Sequence, residues 1–337
     1  MSDMQWSLYN LWNESLDNGT ERPMQVRDYI WASEIGGAYI DRYLKMKAIP
    51  FSNPPNPRSK RKFEAGNIWE SIITYVLSRA GILVSRQDHL AYQYPNLMKV
   101  TGKLDCKAGG KPDYEKAKAL IGTEFNWLPE FISRATMNIV KQLSEKYPDG
   151  LLEIILEIKS CSSFMFDIYE RTNTASQHHK LQLFHYLKAT NMPEGHIVYV
   201  CKDDARLLEI GILNPSEVED DYKADIEQMT KYFNSGEEPP KEKFILFDDE
   251  FGRFSANWKV AYSQYLKYLY GFENQFAFDN TYKPIVERWN RVLGRIKKGD
   301  KMTDKNMAAI LEMGEAGFNI EEIKKNFKGI ENGTDSE

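Results

Sequence analysis

The chain has 337 residues, enough for one large domain or two ordinary ones with a substantial core. Hydrophobic residues make up 42% and charged residues 28%, a globular balance, and no run approaches the roughly 18 consecutive apolar residues of a membrane span. The net charge is −5, but residues 203–250 carry 15 acids against 5 bases, which leaves the remainder at +5, a distribution compatible with a DNA partner.

The first residues, MSDMQWSLYNLWNESLDNG, have neither a basic start nor an apolar run, so no secretory signal is expected and the location predicted is cytoplasmic. The three cysteines, Cys106, Cys161 and Cys201, are too few and too scattered for a disulfide framework or a zinc site, and read as buried reduced thiols in strand-like runs.

Along the chain, residues 1–27 read as short helices or an arm. The spacing of Ile35, Tyr39, Tyr43 and Met46 predicts a helix from about Ser33 to Lys47 with Ser33 as N-cap. Residues 50–57, with four prolines, form an extended loop; a basic cluster (Arg58, Lys60, Arg61, Lys62) leads into a helix ending near Ala80 and closed by Gly81. Residues 82–93, 97–106 and 151–160 read as strands, interrupted at about 109–150 by a helical insertion (114–121 and 128–147). A helix at 175–190 precedes a hairpin of 196–201 and 206–212 around Lys202 to Ala205. This order predicts an α/β core over 1–213, a mixed central sheet flanked by helices, and a mainly helical region over 214–337 with a linker at Pro239 and Pro240.

The most informative stretch is Glu157-Ile158-Lys159, together with Gly102-Lys103-Leu104-Asp105. Alternation in a strand puts Glu157 and Lys159 on one face and Leu156 and Ile158 on the other. A carboxylate and an ammonium in an otherwise apolar strand must be paired or coordinate something. If Asp105 ends the neighbouring strand, it converges with Glu157, and two carboxylates plus the Ile158 carbonyl make a hard oxygen site suited to Mg²⁺ or Mn²⁺. Lys159 would then orient or help deprotonate an attacking water. The alternative is an ordinary Glu–Lys pair on a solvated face with Asp105 in a turn.

Two helices add to this. His178, Gln182 and Tyr186, spaced by four, share a stripe beside the apolar face of Leu181, Phe184 and Leu187; that stripe faces either the site or solvent, and His179 reads as surface. Gly66, Glu70, Ile73 and Leu77 fall within about 60° of one another, so Glu70 lies on an inward stripe where it needs a metal, a lysine or a salt bridge.

The order Gly66-x-x-x-Glu70, Gly102-x-x-Asp105, Glu157-x-Lys159 and Gln182-x-x-x-Tyr186 resembles the RecB-like branch of the PD-(D/E)XK nucleases over roughly residues 30–212. Phage lambda exonuclease, the YqaJ-type viral recombinases and CRISPR-associated exonucleases belong to that branch. The resemblance implies a restriction-endonuclease-like core and a DNA exonuclease that processes ends for recombination or repair. In that reading Asp105, Glu157, the Ile158 carbonyl and Glu70 hold Mg²⁺ or Mn²⁺, Lys159 assists the water, and Gln182 and Tyr186 support the site. Glu70 stands where many RecB-like members have histidine and the viral recombinases glutamate, and the cysteines lack the number and placement for an iron–sulfur cluster. The long gap from Asp105 to Glu157 leaves Asp113 as a fallback ligand.

Phosphate contacts are expected from Arg58, Lys60, Arg61 and Lys62, and by resemblance from Ser160, Ser33 and Arg42; the alternative for the basic run is a solvated loop. A single-strand annealing or recombination protein is an expected partner, with homo-oligomerisation open and the host cytoplasm implied if the source is a phage. A CRISPR-associated or repair endonuclease and a non-catalytic nucleic-acid-binding protein are the alternatives. Trp258, Tyr262, Tyr265 and Leu269 recur at helical spacing, more simply a packed helix than a base-stacking surface. Residues 303–327 read as two short helices around Gly317, a helix-turn-helix or a protein-contact module.

Overall fold

A computed structural model describes residues 15–16, 24–123, 136–214, 216–248, 252–298, 303–319, 321 and 323. The expected arm at 1–27, the start of the expected helix at 128–147 and the second helix expected after Gly317 lie wholly or largely outside them. The chain divides into two compact units, one of residues 1–37, 42–49 and 55–238, the other of 38–41, 50–54 and 239–337.

In chain order the elements are β1 (Tyr29–Trp31), a short 3-10 turn (Ala32–Glu34), α1 (Tyr39–Met46), α2 (Pro57–Arg79), β2 (Leu83–Arg86), β3 (His89–Tyr92), β4 (Lys99–Lys103) and β5 (Cys106–Gly110). Then follow α3 (Tyr114–Thr123), α4 (Thr136–Lys146), β6 (Leu151–Cys161), α5 (Ser163–Thr172), α6 (Gln177–Thr190), β7 (Glu194–Cys201), β8 (Leu207–Leu213) and α7 (Glu219–Ser235). The second unit adds β9 (Ile245–Asp248), β10 (Arg253–Ala256), α8 (Trp258–Ala261), α9 (Leu266–Tyr270), α10 (Gln275–Lys298) and α11 (Asp304–Glu315).

The first unit is mixed α/β. Its main sheet has five strands in the order β2-β5-β6-β7-β8, antiparallel except for the parallel pair β6 and β7. A parallel neighbour requires a crossover, and α5 with α6 supplies it. A smaller sheet, β1-β4-β3, stands beside it in sequence order, so the chain changes sheets between Lys103 and Cys106. The strand expected as one piece over 97–106 is therefore two strands with a bend at Leu104 and Asp105.

β6 is the central strand because both of its faces are apolar over Ile155–Ile158 apart from Glu157. Leu156 and Ile158 join Leu83, Cys106, Ala108, Val198 and Val200 in one buried cluster, covered by Trp69, Ile73 and Leu77 of α2. On the opposite face, which holds Ile155, Glu157 and Lys159, α6 packs across β6 and β7. Leu183 and Ile155 both crowd the place where a side chain at Gly195 would stand.

Helix α2 starts at Pro57, with the Asn56 side chain accepting from the Ser59 N–H at 2.9 Å, so the basic cluster is helical rather than a loop before a helix. Gly81 closes it with φ +69°, and a Cβ there would fall 2.4 Å from the Asp113 carbonyl oxygen. The long helix expected from Ser33 is shorter: Ser33 lies in the 3-10 turn and α1 begins at Tyr39. Gly36, at φ +78°, separates the two, a conformation a helix cannot contain. Helix α5 was not legible in the sequence; Ser162 caps it and Phe166 is its buried anchor. Helix α7 belongs to the first unit, so this unit reaches Glu238, beyond the boundary expected at 213. Two buried ties hold it: Arg42 to Asp225, and the Met98 N–H to Thr230 Oγ1 at 3.0 Å.

The second unit is mainly helical but contains the β9–β10 hairpin. Its core gathers Ile245, Phe254, Trp289, Val292, Leu293, Ala309 and Met313. The aromatic run is not one helix, because Asn257 caps α8 and Ser263 Oγ accepts the Tyr265 N–H at 3.0 Å, local bonds that compete with helix continuation. Tyr265 and Leu269 are buried, whereas Trp258 and Tyr262 are exposed. Among the described residues no helix is long and apolar enough to cross a membrane.

Candidate active site

Asp105 sits at the bend between the two sheets. The turn around Gln87 and Asp88 holds this bend: the Gln87 N–H donates to the Asp105 carbonyl and the Leu104 N–H to the Asp88 carbonyl. The Asp105 side chain then reaches β6, accepting the Ile158 N–H on Oδ2 at 2.7 Å. In an extended strand the N–H and C=O of one residue point to the same side, so the Ile158 carbonyl also faces the Asp105 edge. Asp113, the fallback, is occupied elsewhere, its carboxylate accepting from the Lys116 N–H at the start of α3.

Glu157 is fully buried. Its Oε1 pairs with the Lys159 ammonium, while its Oε2 is buried with no hydrogen-bond partner. Burial pushes the Glu157 carboxyl up to about 8; the Asp105 charge adds to this and Lys159 opposes it. Burial likewise raises the Asp105 carboxyl, against the pull of Lys159 and the Ile158 N–H. For Lys159 burial disfavours the charge, but Glu157 and Asp105 outweigh it and hold the ammonium above its ordinary range. These three groups form one electrostatic cluster.

Glu70 enters from α2. Its Oε1 accepts from Gln87 Nε2 at 2.7 Å, and Gln87 is itself bonded through its backbone to Asp105. Burial raises the Glu70 carboxyl, with the Asp105 charge as the second cause. Glu70 therefore stands within electrostatic reach of the pair. Even so, no three His, Cys, Asp or Glu side chains among the described residues form a group that could by itself hold a metal ion.

Helix α6 covers the site's other wall. Tyr186 Oη donates to the Lys103 carbonyl at 2.7 Å, two residues before Asp105, and Gln182 Nε2 approaches Tyr186 Oη at 3.5 Å. Gly102 makes this approach possible, because a Cβ there would lie 2.8 Å from both Tyr186 Oη and Ala32 Cβ. The first motif glycine is also a contact: Gly66 lies over Ser160, a Cβ being 3.7 Å from Ser160 Oγ.

Several expected residues stand elsewhere. His178 is engaged by the chain before α1, its Nδ1 2.7 Å from the Ile35 carbonyl oxygen. His179, read as surface, is the histidine near Lys159: its Nδ1 is 2.8 Å from Tyr199 Oη, and burial with the Lys159 charge drives its pKa well down. Its spacing of three to Gln182 and seven to Tyr186 was the available signal. Gln87 was missed because nothing local marks a turn glutamine that braces a distant helix. Arg42 cannot contact DNA phosphates: it is 2% exposed and bidentate to Asp225 at 2.6 and 2.9 Å. Ser33 is exposed on the 3-10 turn. In the basic run, Arg58 and Lys62 are exposed, while Lys60 and Arg61 are half-buried and have partners within the chain.

No protein-family model matches the chain, and no curated protein does. Among solved structures it is similar to the one described as the crystal structure of SSO0001, with a TM-score of 0.42 and 14% identity over 71% of this chain and 91% of that one. That likeness is too distant to bear on activity.

The donor set fits a hard divalent cation. Glu157 Oε2 is a buried carboxylate oxygen without a donor, and the Asp105 carboxylate and Ile158 carbonyl face the same edge. An unpaired buried carboxylate oxygen is costly, and a cation relieves that cost.

Proposed function

We propose that this chain is a Mg²⁺- or Mn²⁺-dependent deoxyribonuclease with a restriction-endonuclease-like core of the PD-(D/E)XK type. Within that class it would belong to the RecB-like branch, as an exonuclease that processes DNA ends for recombination or repair. The observation that carries this reading is Glu157: fully buried, paired through one oxygen with Lys159, unpartnered on the other, and beside Asp105.

Asp105, Glu157 and the Ile158 carbonyl would hold the metal, with Glu70 close enough to add a charge. When bound, the metal supplies Lewis-acid stabilisation of the phosphate's developing charge. Lys159, held protonated by its carboxylate neighbours, would donate a hydrogen bond that orients the attacking water; as the water oxygen bonds to phosphorus its proton is lost to solvent, the P–O ester bond breaks, and the leaving oxygen takes up a proton from solvent. Tyr186 pins the Lys103 carbonyl, and through the short Leu104 link it fixes the approach of Asp105 to β6. Exposed Arg58 and Lys62 supply backbone-phosphate contacts.

The test is hydrolysis of end-labelled linear DNA and covalently closed circles with Mg²⁺, Mn²⁺ or EDTA, for wild type, Glu157→Ala and Lys159→Ala. Metal-dependent loss of linear DNA alone supports the exonuclease, and cutting of circles an endonuclease. Activity that persists in EDTA would sink the metal-dependent reading, and absence of activity on both substrates the enzyme reading.

A further inference from the structure

The five-stranded sheet ends on one side at β2 and on the other at β8, and the two edges differ. β2 is four residues long and carries a register shift against β5, a device that spoils pairing with a further strand. β8 is seven residues long and pairs with β7 in unbroken register. It contains no proline or lysine, and its one charge is Glu209. At the ends of this ladder the Cys201 N–H donates to the Arg206 carbonyl at 2.9 Å and the Asn214 N–H to the Pro193 carbonyl at 2.8 Å, so the even-numbered residues bond to β7. The N–H and C=O groups of Leu207, Glu209, Gly211 and Leu213 therefore point away from the sheet, and among the described residues no strand takes them up. The side chains of the same residues are exposed, Leu207 by 58% and Leu213 by 63%, while Ile210 and Ile212 are buried.

The run Leu207-Leu208-Glu209-Ile210-Gly211-Ile212-Leu213 is nearly a palindrome about Ile210. Laid antiparallel on a second copy with a two-fold axis at Ile210, Leu207 meets Leu213, Leu208 meets Ile212 and Glu209 meets Gly211. Centring the axis on Glu209 would oppose two carboxylates, and centring it on Gly211 would leave Leu207 without a counterpart. Only the Ile210 centre engages every outward residue and keeps the charges apart. Any extended strand could bond to this edge, but the self-matching order of side chains singles out one occupant. We propose that β8 joins two copies of this chain edge to edge into one continuous sheet, a symmetric dimer that does not depend on the nuclease reading. The Leu207–Leu213 contact is made twice, once on each side of the axis. Glu157 lies in register with Ile197, and Ile197 with Ile210, so both Glu157 side chains stand in the row that crosses the axis. With the axis perpendicular to the sheet they share one face, about 24 Å apart at strand spacings of about 4.8 Å.

Sedimentation of the wild type at increasing concentration is expected to show a monomer–dimer equilibrium. Gly211→Glu places like charges opposite each other on both sides of the axis and should weaken the dimer roughly 2- to 30-fold. The fold admits this change, because a Cβ at Gly211 would lie 3.4 Å from Glu194 Oε1 and 3.5 Å from His196 Nε2, ordinary contacts. Adding Glu209→Gln to it should restore the dimer, which a merely misfolded variant would not do. Ile210→Cys, opposite itself across the axis, should form a disulfide with its counterpart under oxidised glutathione, whereas wild type, with Cys106 and Cys201 buried, should not cross-link. Amide hydrogen exchange of the wild type needs no variant: Leu207, Glu209, Gly211 and Leu213 should gain protection as concentration rises, while Leu208, Ile210 and Ile212 are protected throughout. A chain still monomeric at about 100 μM overturns the proposal. So does a dimer in which those four amides exchange as in the monomer, or one indifferent to Gly211→Glu. DNA hydrolysis is not read in any of these measurements, so the nuclease reading stands or falls separately.

Discussion

The backbone N–H of Ile158 donates to Asp105 Oδ2 at 2.7 Å, joining residues 53 apart in the chain. This bond aims the carboxylate at the edge of β6 where the Ile158 carbonyl also points. Asp105→Asn keeps an acceptor oxygen for that N–H and loses the charge. The variant should fold with an unchanged urea midpoint while metal-dependent hydrolysis falls by at least about 100-fold, beyond the usual cost of changing an outer-shell partner.

Glu157→Gln separates stability from activity. The native side chain buries a carboxyl group with one oxygen unpartnered, an arrangement that costs the fold stability. The amide should leave the thermal midpoint equal or higher in EDTA and abolish the rise in midpoint that Mg²⁺ or Mn²⁺ is expected to produce in wild type. A midpoint that still rises with metal would remove Glu157 from the ligand set.

Gly102→Ala should cost about 1–3 kcal/mol in chemical denaturation, because its Cβ would meet Tyr186 Oη and Ala32 Cβ, each at 2.8 Å. Tyr186 must shift to admit it, so activity should fall as well. Tyr186→Phe in the same background should recover part of the stability, since the hydroxyl is one of the two clashing groups.

Arg42 and Asp225 form a buried bidentate pair linking α1 to α7. Arg42→Ala strands the Asp225 carboxylate and should cost about 3–5 kcal/mol, whereas replacing both by apolar residues of similar size should cost far less. Urea denaturation of the two single variants and the double variant reads this directly. DNA affinity of the folded single variants should be unaffected.

His196 gives the pH dependence. It lies between Glu194 and Glu209, its Nε2 2.8 Å from Glu194 Oε1. The Glu209 hydrogen bond raises its pKa above 6.5, while the same bond lowers that of Glu209 below 4.5. The His196 contribution is therefore fully present below about pH 6.5 and is lost as pH rises through the elevated folded-state value. The Glu209 contribution is present above about pH 4.5 and is lost as pH falls through its depressed value. The group stabilises most between those limits, and His196→Gln should flatten the stability profile across pH 6 to 8, measured by urea midpoints.

What the sequence determined by itself was periodic. Alternation put Glu157 and Lys159 on one face of β6 and Leu156 and Ile158 on the other, and the hairpin of β7 and β8 was legible from its turn. Helical spacing placed Glu70 with Ile73 and Leu77, and Gln182 with Tyr186. Each of these relations spans a few residues, where backbone geometry alone decides which side chains are neighbours.

Convergence was decided only by the tertiary structure. Asp105 rather than Asp113 meets β6, because the chain bends from one sheet into the other at Asp105 while Asp113 caps a helix. Arg42 reads as a surface cation until α7, 183 residues later, brings Asp225 to it. Of two adjacent histidines, the packing of α6 against Tyr199 turned His179 towards Lys159 and His178 towards Ile35. Local periodicity assigns faces; which face meets which depends on strand order, strand length and loop closure, and these are set by contacts between residues far apart in the chain.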